Sequence, residues 1–289
     1  MIDAFLEHRS LLFGIAYRML GSVAEAEDAV QEIYLRAQRQ DATGINSPKA
    51  WLIAATTRWC IDQLRSARRQ REEYKGVWLP EPLVNATAPT RDPASTTADS
   101  LSMAFMVMLE QLSPVERAVF LLREAFDFDY PEIARMVDKS EANCRQLVSR
   151  AKRSLGRRAP AVAPPPAKAE HVVQQFLTAC VTGSLSGLLA VLTDDVVLYT
   201  DGGGRVRSAL RPIRSADHVG RFMMGIRKRG AFNVESQLIR VNGEPGLSAR
   251  RGDGVLSITA FALEGARIRA IYMVSNPDKL LRVSLAQSN

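Results

Sequence analysis

From Arg145 to Arg158 the chain carries six cations, Arg145, Arg150, Lys152, Arg153, Arg157 and Arg158, and no carboxylate. Solvated helices usually mix signs, so an arc of one sign predicts an acidic partner. Cys144, Leu147, Val148, Ala151 and Leu155 recur there at helical spacing as the stripe to be buried. Arg145, Gln146, Ser149, Arg150 and Arg153 fall on the opposite arc, where guanidinium and amide groups can reach base edges in a DNA major groove. A plain solvated surface is the competing account, and the segregation of sign favours a nucleic acid.

Such an arc needs a turn and a preceding helix to present it. Asp129 and Glu132 form a capping box, followed by Tyr130, Ile133, Ala134 and Val137 at helical spacing. Asp138 and Lys139 interrupt, and Ser140 can cap the next helix through its hydroxyl. Phe126–Leu155 is therefore predicted to be a helix-turn-helix. Helices are expected from Leu101 to Leu112, and Ser113-Pro114-Val115-Glu116 is a further capping box that opens the helix before the motif.

A second basic row lies upstream. Ser47-Pro48 starts a helix whose buried stripe is Ile53, Thr57, Cys60, Ile61 and Leu64. Arg58, Arg65 and Arg69 share another side, with Trp51 and Trp59 off the stripe. Aromatic rings beside cations suit single-stranded DNA, because bases stack while charges track phosphates. For Trp51 a covering helix is the better expectation. Nearer the N-terminus, Ser22 and Glu25 form a capping box, and Ala26, Ala29, Val30, Ile33 and Ala37 face inward. The outer face holds Asp28, Gln31, Glu32 and Leu35, which suggests a docking surface, although singly exposed leucines are common.

The net charge of +7 hides this pattern. Residues 1–165 hold 22 Lys and Arg against 21 Asp and Glu, and the remainder 16 against 10. Within residues 1–50 the balance is 5 basic to 7 acidic. One acidic face and two basic ones imply both DNA and a basic protein surface as partners. Cys60, Cys144 and Cys180 are far apart in apolar helical patterns, and His8, His171 and His218 do not cluster. No zinc site, haem attachment, disulfide framework or cofactor is expected. The N-terminus lacks a signal peptide and no apolar run reaches spanning length, so a cytoplasmic protein with no membrane partner is expected.

The chain divides into 1–75, all helical; 76–100, a polar linker with the apolar island Trp78-Leu79-Pro80-Glu81-Pro82-Leu83; 101–158, with the helix-turn-helix; 159–167, a stiff Pro-rich linker; and 168–289. The last part is expected to open with helices near 169–182 and 185–192. Strands should follow at Val196–Thr200, Phe232–Val241, Leu247–Arg251, Val255–Leu263 and Ile268–Ser275, with a helix near Ala216–Arg229 after the first. That order gives two all-α domains and then an α+β domain with helices on a curved, mostly antiparallel sheet.

Three motifs in order carry a resemblance. A-E-D-A-V-Q-E-I-Y-L-R-A (Ala26–Ala37) resembles the polymerase-docking helix of extracytoplasmic-function (ECF) sigma factors, the bacterial RNA polymerase specificity subunits. P-K-A-W-L-I-A-A-T-T-R-W-C-I-D-Q-L-R (Pro48–Arg65) resembles their −10 segment. L-S-P-V-E-R-A-V-F-L-L (Leu112–Leu122) with the helix-turn-helix resembles their −35 domain. W-L-P-E-P-L (Trp78–Leu83), D-G-G-G-R (Asp201–Arg205) and N-P-D-K-L (Asn276–Leu280) resemble the SigJ-type subgroup, which carries a fused SnoaL-like domain. The resemblance implies core polymerase and promoter DNA as partners. Asp28, Gln31, Glu32 and Leu35 would meet the clamp helices of the largest subunit, and the polymerase flap would be the other contact. Arg58, Trp59, Arg65 and Arg69 would serve the −10 element, with Arg58 where many relatives carry Asn. Arg145, Gln146, Ser149, Arg150 and Arg153 would serve the −35 element. The resemblance also implies that the third domain regulates the first two.

SnoaL-like folds include isomerases and hydrolases, so a DNA-targeted enzyme or a ligand-sensing regulator is the alternative. The best inward acid–base candidates are Tyr199, Asp201, Glu235 and Tyr272, with no recognisable pairing, which favours a non-catalytic domain whose pocket is structural or takes a small ligand. Gly202, Gly203 and Gly204 lack phosphate-loop spacing and predict a turn with unusual backbone angles and a close neighbour. Asn276 should cap a helix that has Pro277 first and Asp278 next. The apolar Trp78 and Leu79 need burial, so the D-G-G-G-R turn and the W-L-P-E-P-L loop are expected to touch.

Overall fold

The computed structural model describes residues 1–40, 45–84, 101–156, 164–230, 234–252 and 254–283, except the side chains of 67–72. Two compact units result. The first comprises Met1–Glu73 and Met106–Ala159, and the second Tyr74–Ala86, Leu101–Phe105 and Pro160–Asn289, each as far as described.

In the first unit, α1 (Ile2–Leu20), α2 (Val23–Arg39) and α3 (Pro48–Glu72) pack on one another. The Ser22 hydroxyl accepts from the Glu25 amide, satisfying one of the donors that a helix start leaves open. Ala26, Ala29, Val30, Ile33 and Ala37 are buried, as their spacing requires. After α4 (Met103–Leu109) come α5 (Pro114–Glu124), α6 (Tyr130–Val137) and α7 (Glu141–Leu155). Of the three predicted capping boxes, Ser113 with Glu116 and Asp129 with Glu132 close in both directions, whereas at Ser22 the structure gives the hydroxyl's bond from the Glu25 amide. Asp138 takes a left-handed conformation (φ 54°) that ends α6, and the Ser140 hydroxyl accepts from Asn143 N to start α7.

In the second unit, α8 (Pro166–Thr182) and α9 (Leu185–Val191) precede a six-stranded sheet. The helix starts earlier than the sequence suggests because Pro166 sits in the first turn, where a missing amide costs nothing. The strands are β1 (Leu192–Asp201), β2 (Ile213–Arg214), β3 (Glu235–Val241), β4 (Glu244–Arg251), β5 (Gly254–Glu264) and β6 (Arg267–Val274), in the order β2-β1-β6-β5-β4-β3. All neighbours are antiparallel except β1 and β6. Two-residue β2 carries too little alternation to be read from sequence. The expected start of β3 at Phe232 lies outside the described residues. Between β2 and β3 runs α10 (Ala216–Lys228), and α11 (Pro277–Leu280) follows β6.

Register decides which side chains share a face. Leu247, Thr259, Met273 and Thr200 pair across the sheet in one row, on the face covered by α8 and α10. The neighbouring row, with Ser248, Ile258, Val274 and Asp201, lies on the other face.

Candidate functional site

The outer arc of α7 is exposed as expected: Arg145, Gln146, Ser149, Arg150 and Arg153 face solvent, over the buried Cys144, Leu147, Val148, Ala151 and Leu155. Its cations are not equally free. Arg145 lies over the Tyr130 ring at 4.3 Å and 3.5 Å from Glu141. Arg150 is 3.7 Å from Glu116, and Lys152 makes a 2.8 Å pair with Glu124. Arg153 has no such partner among the described residues. On α2, Asp28, Gln31 and Leu35 are exposed, while Glu32 pairs with Arg36 at 2.8 Å.

On α3, Trp51 and Trp59 are half-buried, and Arg65 pairs with Asp62 at 3.2 Å. Arg69 lies in α3, with its side chain outside the described residues. The Arg58 guanidinium instead meets the end of α6, donating to the carbonyls of Met136 and Arg135 at 2.8 Å each. Two buried arginines, which no periodicity announces, add to this packing. Arg117 on α5 donates to Met19 O and Glu110 Oε1, both at 2.7 Å. Arg18 donates to Gly14 O and lies over the Phe126 ring at 5.0 Å, and burial lowers its pKa to about 10.

The second unit contains a tighter constellation around Asp201, which is 1% exposed. Its carboxylate accepts from Tyr74 Oη (2.5 Å), Leu79 N (3.0 Å), Gly203 N (3.0 Å) and Lys279 Nζ (2.7 Å). Lys279 also donates to the Leu79 carbonyl and lies over the Trp78 ring at 4.2 Å. Asn276 Nδ2 donates to Tyr74 Oη, its Oδ1 accepts from Asp278 N, and Pro277 sits in the first turn of α11. Arg205 pairs with Asp278 at 3.1 Å.

Glycine is needed in this turn. Gly203 has φ 62° and a Cβ there would stand 2.4 Å from Asn276 Cγ, while a Cβ on Gly202 would stand 2.2 Å from Val206 O. Gly204, with φ 71°, has Lys75 as its neighbour. Burial first, then the bond to Asp201 and its charge, push the Tyr74 phenol well above its ordinary value.

A second clamp holds the linker further on. Asn242 Oδ1 accepts from Leu83 N, its backbone amide donates to Leu83 O, and its Nδ2 donates to Leu101 O. Asn242 has φ 54° in the β3–β4 hairpin, and Val84 bridges Val241 on the sheet edge. The sequence reading missed Tyr74, Asn242 and Lys279. The Asn242-Gly243 dipeptide, a strong hairpin signal, was the available clue to the second.

The acid–base candidates do not meet in the helix-covered cavity. Alternation puts Tyr199, Asp201 and Tyr272 on the opposite face, where the two tyrosine rings stack at 5.3 Å, and Glu235 is exposed at the start of β3. The expectation that these four point inward is therefore overturned by the register.

Models of sigma-70 region 2 and sigma-70 region 4 match residues 4–70 and 102–155. The chain is 37% identical over 291 residues to the ECF RNA polymerase sigma factor SigJ of Mycobacterium tuberculosis, covering 96% of this chain and 92% of that protein. The protein belongs to the ECF sigma factors. This sigma factor is also 32% identical over 281 residues to a probable ECF sigma factor SigI of the same species, covering 96% and 93% of the two chains. The crystal structure of M. tuberculosis SigJ matches it with a TM-score of 0.78 at 34% identity, over 97% of this chain and 98% of that one. As an ECF sigma factor the protein directs transcription initiation with core RNA polymerase on promoter DNA, and performs no catalysis. Among the described residues, no helix is long and apolar enough to cross a membrane, and no group of three or more His, Cys, Asp or Glu could hold a metal ion.

Proposed function

We propose that promoter use by this sigma factor is governed by its C-terminal domain through the linker between the two DNA-reading domains. The observation that carries this is the buried Asp201 carboxylate, which takes donors from Tyr74 and Leu79 of that linker and from Lys279. Residues 76–100 set the reach between residues 1–75 and 101–158. A linker fastened at Leu79 by Asp201 and at Leu83 by Asn242 has less reach than a free one. In this reading Asp28, Gln31, Glu32 and Leu35 dock on the clamp helices of the largest polymerase subunit, and the region around α5–α7 meets the flap. Arg58, Trp59, Arg65 and Arg69 serve the −10 element, and Arg145, Gln146, Ser149, Arg150 and Arg153 the −35 element. Trp78, Leu79, Asp201, Gly202, Gly203, Gly204, Arg205, Asn276, Pro277 and Asp278 form the regulatory contact.

The test is in vitro transcription with core polymerase on promoters recovered by genome-wide binding. Full-length protein, a chain ending near Arg158, and Asp201→Asn are compared. A changed ratio of promoter-specific transcripts in both altered proteins is expected. Output from Asp201→Asn identical to that of the full-length protein refutes the regulatory reading, and retained polymerase binding by Asp28→Arg refutes the docking assignment.

A further inference from the structure

The face of the sheet opposite Asp201, with α8 and α10, encloses a cavity of about 330 Å³, within the size range of small-molecule sites. Its body is apolar, formed by Phe176, Phe222, Met223, Ile226, Leu247 and Met273. Hydroxyls of Ser236, Ser257 and Thr259 supply polar points on the sheet side, while that of Thr200 is held by the Ala209 backbone. Among the described residues that line it there is no Asp, Glu, His, Lys, Cys or Tyr, so nothing in it can exchange a proton near neutral pH. That composition fits retention of a ligand without its conversion.

Two cations break the apolar pattern. Arg207 and Arg251 line the cavity and are also exposed, which places them at its opening. Neither guanidinium has an ion-pair or hydrogen-bond partner among the described residues, whereas those of Arg205 and Arg240 nearby in sequence are paired with Asp278 and Glu170. Guanidinium groups recognise carboxylates through paired N–H donors. We propose that this cavity binds an amphiphilic carboxylate, its apolar body inside and its anionic head at the Arg207/Arg251 opening.

The wall of the cavity also reaches the linker clamp, and this part rests on the regulatory reading above. Val206 and Ser208 line the cavity. Val206 N donates to Gly202 O at 2.9 Å, and Gly202 has no room for a side chain against Val206 O and Ser208. A ligand that displaces this segment therefore acts on the Asp201 turn, and through it on the Leu79 amide.

The experiment is calorimetric titration of the full-length protein with decanoate and, separately, decanol. Decanoate is expected to saturate one site about tenfold more tightly than decanol, as a charge-assisted contact allows. The surface double variant Arg207→Gln/Arg251→Gln should bring decanoate down to the affinity of decanol. Ala249→Leu, which adds bulk to the cavity wall, should weaken both. Absence of saturable decanoate binding, or decanoate affinity unchanged in the double variant, overturns the site. Hydrogen exchange at the Leu79 amide should change at saturating decanoate. Unchanged exchange alongside binding overturns the coupling, whereas unaltered transcription by Asp201→Asn overturns the regulatory reading itself.

Discussion

Arg58 Nε donates to the carbonyl of Met136, 2.8 Å away and 78 residues further along the chain. The last carbonyls of a helix have no partner within it and carry partial negative charge, so a guanidinium completes α6 well. In this structure the guanidinium is held by the first helix of the helix-turn-helix, so the −10 role proposed for Arg58 requires its release from α6. Sigma regions 2 and 4 meet within one compact unit through Arg58, Arg117 and Arg18.

Arg58→Ala removes both bonds to α6. It is expected to destabilise the first unit by about 1–3 kcal/mol, the range for hydrogen bonds made by a charged donor. Urea unfolding monitored by circular dichroism checks this. A midpoint unchanged from the parent would show that the contact contributes nothing.

Asp201 and Lys279 form an ion pair whose side chains are 0% and 12% exposed. Breaking such a pair from one side leaves a charge without its counterpart, at a cost of about 3–5 kcal/mol. Lys279→Met should therefore lower the melting temperature of the full-length chain and speed proteolysis near Trp78. Asp201→Asn/Lys279→Met, which leaves neither charge behind, should recover much of the loss.

Two glycines are predicted to behave oppositely. Gly203→Ala meets Asn276 at a positive φ and should cost about 1–3 kcal/mol, with the linker clamp released first. Gly225 lies exposed in α10 with open space where a Cβ would go. Gly225→Ala should stabilise by about 0.5–1 kcal/mol, because it restricts the unfolded chain. Parallel thermal melts compare the two.

The Tyr74 phenol is raised in the folded protein by burial and by Asp201. A group with a raised folded pKa contributes stability that is complete below its unfolded value, about 10 for tyrosine, and is lost as pH rises above it toward the folded value. Docking of the linker should stay constant from neutral pH to about pH 10 and weaken beyond. Tyr74→Phe should be less stable at neutral pH and should show a shallower alkaline loss, read from urea midpoints across that range.

Much of this was legible in residue order because its causes are local. Capping by Ser22, Ser113, Asp129 and Ser140 acts over three residues, and the buried stripe of α7 follows from helical spacing alone. Asn276 and Pro277 announced α11 in the same way. The glycine turn was foreseeable too, since only glycine tolerates what Gly203 does there.

Tertiary structure decided what lies far apart in the chain. Tyr74 meets Asn276 across 202 residues, and Lys279 finds Asp201 across 78. Strand alternation defines two faces but not which one the helices cover, and so Tyr199, Asp201 and Tyr272 were expected on the wrong side. Likewise, sequence marks Arg58, Arg117 and Arg153 equally as cations. Only the fold shows that Arg58 ends a helix and Arg117 is buried, while Arg153 stays open to solvent, because the carbonyls and carboxylates that claim the first two are brought to them by packing.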